Sequence, residues 1–178
     1  MPSGPPSRPV SPFPECRFNG RAALIESAGT LLVADLHVGR VRRSRVDLPV
    51  GESTDLAERL QQRLAETEPE RVVVAGDLIH AFNALPYGVS ETVGTLRETI
   101  RDAGAEFVVT EGNHDGLLDR VDGVDPVSSV RIDDRTLVQH GHERPAASAE
   151  RYVIGHEHPA IEIEGDRRPC FLVGPAQH

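Results

Sequence analysis

The 178-residue sequence has little sulfur and few aromatic residues: two cysteines, no tryptophan, five phenylalanines and two tyrosines. Two cysteines without C-x-x-C spacing, Cys16 and Cys170, exclude a disulfide framework and a cysteine-rich zinc site. No apolar run approaches the roughly 20 residues that cross a bilayer, which excludes a transmembrane protein. The shortage of aromatic rings argues against a base-stacking platform for single strands, and Tyr87 is the one aromatic residue expected near a substrate.

Lysine is absent as well, so all 19 basic residues are arginines, set against 28 acidic residues for a net charge of -9. An acidic chain does not attract nucleic acid over its whole surface, so any such contact needs a local basic patch. One candidate patch directly follows the first histidine motif. It consists of Arg40, Arg42, Arg43 and Arg45, and two interpretations stay open: it tracks a nucleic-acid backbone, or it is a solvated loop paired with acidic neighbours.

The length fits one ordinary domain with a core of its own. Residues 1–15 are rich in Pro, Ser and Gly and lack the apolar centre of a secretory signal. We therefore expect a flexible tail over 1–15, a single domain over 16–178 and a cytoplasmic location.

The first half of the sequence predicts a β-α-β-α-β order after an initial hairpin. Short apolar runs at 22–26 and 30–34 form the hairpin, and continuous β-branched runs at 71–75 and 107–110 are typical of parallel strands buried on both faces. Between them we predict one helix from Ser53 or Thr54 to the stop at Pro69, and a second over 91–103. The second half predicts short strands at 127–132, 136–139, 152–154, 160–164 and 170–173, with a turn at Gly165-Asp166.

Seven of the eight histidines lie at or just after the end of a predicted strand. Side chains at i and i+2 of a strand point to the same face, so Asp35 can share a ligand site with His37, as His156 can with His158. The carboxyl ends of parallel strands form the crevice in which ligands bind, and Asp77 and Asn113 follow such strands. The sequence therefore predicts one polar rim assembled from several strand ends.

Imidazoles, carboxylates and one amide oxygen make a nitrogen and oxygen donor set that suits Mn, Fe, Zn or Co. About seven donors favour two divalent ions over one, and a two-metal site is suited to phosphoester hydrolysis. The leaving oxygen then needs a proton donor, for which His114, with Asp115 beside it, is the candidate.

The strings that carry these residues resemble, in order, the five motifs of the calcineurin-like metallophosphoesterases. They are DLH (35–37), GDLIH (76–80), GNHD (112–115), HGH (140–142) and GHEH (155–158). The resemblance implies a four-layer α/β/β/α sandwich of two mixed sheets flanked by helices, with a dinuclear centre on the sheet edges.

The resemblance also implies a role for each matching residue. It gives Asp35, His37 and His158 to one metal, Asn113, His140 and His156 to the other, and Asp77 to both. His114 binds the phosphate and protonates the leaving group, Asp115 orients it, and Asn113 contacts the substrate. In the HGH string either His140 or His142 can point inward, and His140 is favoured because it directly ends its strand.

The residue at position 80 indicates which subgroup of the family the sequence resembles. Many members have Asp or Asn where this sequence has His80, and histidine there resembles the SbcD-type nucleases and the small DNA-ligase-associated phosphoesterases, which adds His80 to the catalytic candidates. The resemblance thus implies a DNA phosphodiesterase with two divalent ions, Mn first and Fe, Zn, Ni or Co as alternatives. The basic patch adds Arg40, Arg42 and Arg43 as candidate substrate contacts, if it tracks the nucleic-acid backbone. Two other functions stay open: a small-molecule phosphoesterase, on cyclic nucleotides or phosphomonoesters, and a weakly active metal-binding scaffold. Because similar proteins continue beyond GHEHP, we also expect a C-terminally truncated second sheet whose exposed edge favours association.

Overall fold

A computed structural model describes residues 16–40, 52–145 and 147–175 of the chain. The predicted tail over 1–15 and the arginines Arg42, Arg43 and Arg45 lie outside the described residues.

The first sheet is mixed and has its strands in sequence order, β1-β2-β3-β4-β5. Strands β1, β2 and β3 are antiparallel neighbours, and β3, β4 and β5 are parallel. The β-branched residues of β4 are buried on both faces of this sheet, as its continuous apolar run predicts. The strands are β1 (Cys16–Asn19), β2 (Ala22–Ile25), β3 (Thr30–Val33), β4 (Arg71–Ala75) and β5 (Glu106–Thr110).

Two helices cover one face of the first sheet. Helix α1 (Glu52–Thr67) buries Leu60 and Leu64, and helix α2 (Val89–Asp102) buries an apolar stripe that includes Leu96. Both stripes pack on side chains of β2 to β5 in the larger apolar cluster. None of the described helices combines the length and the apolar character that a membrane crossing requires.

The second sheet packs against the other face of the first. It contains β6 (Val130–Arg131), β7 (Thr136–Gln139) and β8 (Arg151–Ile154), with β6 antiparallel and β8 parallel to the central β7. Val138 of β7 and Val73 of β4 belong to the smaller apolar cluster between the sheets.

A separate hairpin of β9 (Ala160–Ile163) and β10 (Asp166–Pro169) follows the second sheet. Burial falls along this end of the chain, from the buried β7 to the exposed β10. The predicted α/β class with two packed mixed sheets is confirmed. Among the described residues both α-helices cover the first sheet, on the face that points away from the second sheet.

Several predicted strand bounds need correction. The strand predicted at 127–132 is only two residues long, although Val127 makes an isolated bridge to Thr110. The strand predicted at 170–173 is wrong: the last strand is the polar β10, because Glu164 and Gly165 both take positive φ and close a two-residue turn that pairs 166–169 with β9. Strand β1 was not predicted.

Candidate metal centre

Five segments bring polar side chains to one edge of the two sheets. Each segment directly follows a strand: β3, β4 and β5 of the first sheet, and β7 and β8 of the second. The edge is the carboxyl end of these strands, where open α/β sheets bind their ligands. The structure thus brings together every described residue that the sequence predicts as a ligand: Asp35, His37, Asp77, Asn113, His140, His156 and His158.

Asp77 lies in the middle of this group, with only 1 % of its surface exposed. Its Oδ1 is 3.4 Å from Nε2 of His140, and its Oδ2 is 3.7 Å from Nε2 of His37. Burial raises the pKa of this carboxyl, but hydrogen bonds from His140 and from the backbone N–H of His114 outweigh it and lower the pKa to about 2. Asp77 is therefore a permanent anion whose two oxygens face two different imidazoles.

One potential ligand group lies on the β3 side of Asp77. Nε2 of His37 is 3.4 Å from Nε2 of His158, which is 3.5 Å from Oδ1 of Asp35. Burial, together with neighbouring positive charge, lowers the pKa of His37 to about 4 even though Asp77 raises it. At neutral pH His37 is thus the neutral imidazole that a metal ligand must be.

The other group lies on the β5 and β7 side. The buried His140 ring is 3.1 Å from the Ala75 carbonyl oxygen through Nδ1, and its Nε2 is 3.0 Å from Oδ1 of Asn113. A backbone partner at Nδ1 fixes the ring and leaves Nε2 toward Asp77, the arrangement usual for ligating histidines. The His156 ring lies 5.0 Å from the His140 ring. The backbone N–H of His156 donates a hydrogen bond to the Asp35 carboxylate.

His142 occupies a different environment from His140. Its side chain is partly exposed, and its Nε2 is 4.0 Å from a carboxylate oxygen of Glu143. Its ring lies 5.2 Å from the His140 ring, and among the described residues His142 is not part of the group in which Asp35, Asp77 and His140 lie close together. The geometry thus supports the prediction that favours His140.

Backbone strain concentrates at the same edge. Of the seven described non-glycine residues with positive φ, five belong to the predicted ligand set. Such conformations cost of order 1 kcal/mol or more each and persist where the surrounding structure enforces them. The strain marks the edge as a functional site without reference to any motif. The five residues are Asp35, His37, Asp77, His156 and His158.

Two glycines create the space that the group needs. A Cβ on Gly112 would overlap both the backbone nitrogen and Oδ1 of Asp77, and a Cβ on Gly76 would overlap the His140 ring. Only glycine lets these loops approach the central carboxylate so closely.

His80 and His114 form a third cluster with His37. Their rings stack with centroids 4.5 Å apart, and ligand atoms of the three histidines lie within 4.8 Å of one another. Nδ1 of each of the three is buried without a hydrogen-bond partner among the described residues. Burial and the charges of His114 and Arg40 lower the pKa of His80 even though Asp77 raises it. The charged neighbour of this cluster is Asp77, whose Oδ2 is 3.7 Å from Nε2 of His37 and 3.9 Å from Nε2 of His114.

Asp115 does not take the predicted position beside the His114 ring. Its buried carboxylate instead accepts backbone N–H bonds from Ile79 at 2.9 Å, Gly112 at 2.9 Å and Leu78 at 3.3 Å. Burial raises the pKa of Asp115 above its ordinary value, and these hydrogen bonds offset only part of that rise. The predicted orientation of His114 by Asp115 is thus corrected: Asp115 ties the loop after β4 to the loop after β5.

The chain belongs to the calcineurin-like phosphoesterase family, because the family model matches residues 30–166. It is accordingly a metal-dependent hydrolase, and the edge holds candidate His and Asp ligands.

Two solved structures align with this chain. The crystal structure of Pseudomonas putida nuclease MPE is similar over 85 % of this chain and 72 % of that one, at 26 % identity and a TM-score of 0.67. A phosphoesterase from E. coli, Yfce, aligns over 64 % of this chain and 57 % of that one, at 18 % identity and a TM-score of 0.42. No curated protein matches the sequence.

Proposed function

We propose that the protein is a two-metal phosphodiesterase that acts on DNA, with its domain extending over residues 16–178. One observation carries the proposal: the buried Asp77 carboxylate directs one oxygen to His140 and the other to His37. A carboxylate that faces two separate ligand groups would help to hold one divalent ion in each of them.

The donor set fits a pair of divalent cations. The buried anion Asp77 is surrounded by imidazoles of His37, His114 and His140 rather than by a permanent cation in its described contacts. A buried charge needs a compensating one, which bound cations provide. Asp35, His37, His158 and Asp77 would hold one ion, and Asp77, Asn113, His140 and His156 the other.

Bound ions supply Lewis-acid activation of the phosphate and of the attacking water. Manganese is the first expectation for this donor set, with Fe, Zn, Ni or Co as alternatives. The chain's own contribution is positional. His114 and His80 present a stacked pair of rings beside Asp77, so His114 can contact the phosphate and deliver a proton to the leaving oxygen.

Three features support DNA as the substrate. The histidine at position 80, which the sequence shares with the DNA nucleases it resembles, lies within the site, 5.4 Å from the His37 ring. Similarity to the P. putida nuclease extends over most of both chains. Arg40, which lowers the pKa of both His37 and His80, places positive charge near the same pocket.

Metal content and hydrolysis of bis-p-nitrophenyl phosphate, measured on the same preparation, test the proposal. Purified protein should hold close to two metal equivalents, and Mn, Zn, Ni and Mg should be compared for turnover. Asp77→Asn should lose bound metal. Its activity should fall by more than the roughly 100-fold that removal of a residue hydrogen-bonded to a metal ligand costs, because Asp77 is itself a proposed ligand.

The rival functions predict other outcomes. Metal bound near two equivalents without hydrolysis of any phosphoester would favour a scaffold. Faster turnover of p-nitrophenyl phosphate than of the diester would favour a small-molecule phosphomonoesterase. Equal activity of wild type and Asp77→Asn would contradict the two-metal site itself.

A further inference from the structure

Phe82 presents an exposed aromatic ring at the mouth of the candidate metal centre. Its ring centroid lies 4.9 Å from the His114 ring and 5.4 Å from the His80 ring, both in edge-to-face orientation. The side chain is nevertheless 54 % exposed. Single exposed apolar residues are ordinary on protein surfaces, so it is the contact of this ring with both pocket histidines that singles it out.

The backbone that precedes Phe82 is bonded to the loop that carries His114. The N–H of Ala81 donates to the carbonyl oxygen of His114 at 3.2 Å, and the N–H of His80 donates to the carbonyl oxygen of Val38 at 2.9 Å. The Ala81 side chain itself is buried. Phe82 is therefore the first exposed residue on a segment that is bonded to the loop carrying His114, and its distance from His114 is set by the fold.

An aromatic ring in this position can bind a part of the substrate other than its phosphate. Aromatic side chains stack on nucleobases of any sequence, because every base has a π-face. Inorganic phosphate or a small phosphomonoester leaves the ring without a partner. A nucleotide diester whose phosphate lies against His114 would place one of its nucleosides beside the ring.

We infer that Phe82 binds the base of the leaving nucleoside. The inference rests on the proposed function, in which His114 protonates the leaving oxygen: a ring that touches His114 is on the leaving side of the phosphate. A single stacked base is also compatible with the low aromatic content of the chain, because it requires one ring and not a platform of several.

The geometry favours Phe82 over the residue that the sequence singled out. Tyr87 is on the same loop between β4 and α2 and is 97 % exposed, and its ring makes no aromatic contact among the described residues. Phe82 and Tyr87 thus provide a pair of exposed rings on one loop, and among the described ring contacts only Phe82 lies against His80 and His114.

The test compares three substrates, each with a single diester bond. They are the dinucleoside monophosphate of thymidine and its two analogues in which one base or the other is replaced by an abasic sugar. Product analysis identifies which nucleoside leaves. In wild type with Mn²⁺, loss of the leaving-side base should lower kcat/KM by about 5- to 150-fold, the range that stacking of one base supports.

We define the base ratio as kcat/KM for the intact dinucleotide divided by kcat/KM for the analogue that lacks the leaving-side base. In Phe82→Ala the base ratio should fall to about twofold or less, because the ring that the base would contact is already gone. Phe82→Trp should retain the preference and Tyr87→Ala should leave the ratio at its wild-type value. An unchanged ratio in Phe82→Ala, or an equal loss in Tyr87→Ala, would overturn the inference.

The proposed function fails differently. If wild type with Mn²⁺ hydrolyses neither the dinucleotide nor bis-p-nitrophenyl phosphate, both the function and the inference are wrong. Hydrolysis of bis-p-nitrophenyl phosphate without a preference for the base-bearing dinucleotide overturns the role of Phe82 and leaves the phosphodiesterase standing.

Discussion

The inner and outer sides of the metal centre are held by the fold in different ways. The inner side, defined by His37, Asp77 and His140, is buried against the two sheets. The outer side, defined by His156 and His158, follows the edge strand β8, and the His158 side chain is 47 % exposed. Both sides contribute to the same pair of predicted ion sites.

The two sides differ in what holds their ligand side chains in position. The inner side has fixed partners inside the protein: the Ala75 carbonyl for His140 and the backbone N–H of His114 for Asp77. The outer residues have few described contacts beyond Asp35 and the neighbouring rings. The sheets therefore preorganise the inner side, whereas the outer side depends more on bound ions for its position.

The largest expected effect comes from breaking the inner side at Gly112. In Gly112→Ala the new Cβ would displace the backbone and carboxylate of Asp77, the residue shared by both predicted ions. We expect metal content to fall below one equivalent and diester hydrolysis to fall by more than roughly 100-fold.

Gly94→Ala is the matched control, since nothing lies within 4 Å of a Cβ at this position in α2. It should keep full activity and gain up to about 1 kcal/mol of stability from the higher helix propensity of alanine. Normal metal content in Gly112→Ala would mean that the crowding around Asp77 is not required for the site.

The sequence predicts which residues form the inner side, but it does not predict the hydrogen bonds and contacts that hold them. The positions of Asp35, His37 and Asp77 just after buried strands follow from the strand pattern. The strand alternation predicted for Asp35 and His37 does not hold, because both residues lie beyond β3 and take positive φ. The partners of Asp115 do not follow from the strand pattern, because its three backbone donors belong to two loops that meet only in the folded chain. Phe82 was missed for the same reason: its contact with His114 depends on how those loops pack.

The last strand illustrates a second limit. Periodicity favours the apolar residues at 170–173 over the polar β10, yet the turn at Glu164 and Gly165 determines which residues pair with β9. A turn of two positive-φ residues fixes hairpin register even when the paired strand is exposed and polar. The signal was present in the Glu-Gly dipeptide but is weaker than the Asn-Gly or Asp-Gly form.

A pair of alanine substitutions compares the two sides directly. His140→Ala should lower the stability of the chelator-treated protein by about 3 kcal/mol, because it removes a buried partner of the Asp77 carboxylate. For a chain of this size that corresponds to a fall in Tm of roughly 6–12 °C. His158→Ala should change stability by less than about 0.5 kcal/mol, as exposed residues usually do.

Both variants should nonetheless lose bound metal, since each removes one predicted ligand. Thermal denaturation with and without chelator, together with elemental analysis, separates the two effects. A loss of stability in His158→Ala as large as that in His140→Ala would show that the outer side is as firmly built as the inner one.

The smallest expected effect concerns the attachment of β8, which carries the outer side. Asp133 accepts hydrogen bonds from the backbone of Arg135 and Thr136 and lies 3.2 Å from the Arg151 guanidinium at the start of β8. Burial raises the pKa of Asp133, but these hydrogen bonds and the charge of Arg151 lower it below its ordinary value of 3.8. A carboxyl with a lowered pKa in the folded state stabilises the fold above its unfolded pKa, and this contribution is lost as the pH falls through the folded value.

Asp133→Asn should therefore cost about 1 kcal/mol at pH 7, or roughly 2–4 °C in Tm. The difference from wild type should shrink as the pH falls below 3.8, when the wild-type carboxyl also loses its charge. Asp166→Asn, an exposed carboxyl on β10 that is 3.5 Å from Arg168, is the control and should leave Tm unchanged. A Tm difference for Asp133→Asn that stays constant from pH 7 to pH 3 would show that the charge of Asp133 does not attach β8, and that the outer side is secured by packing alone.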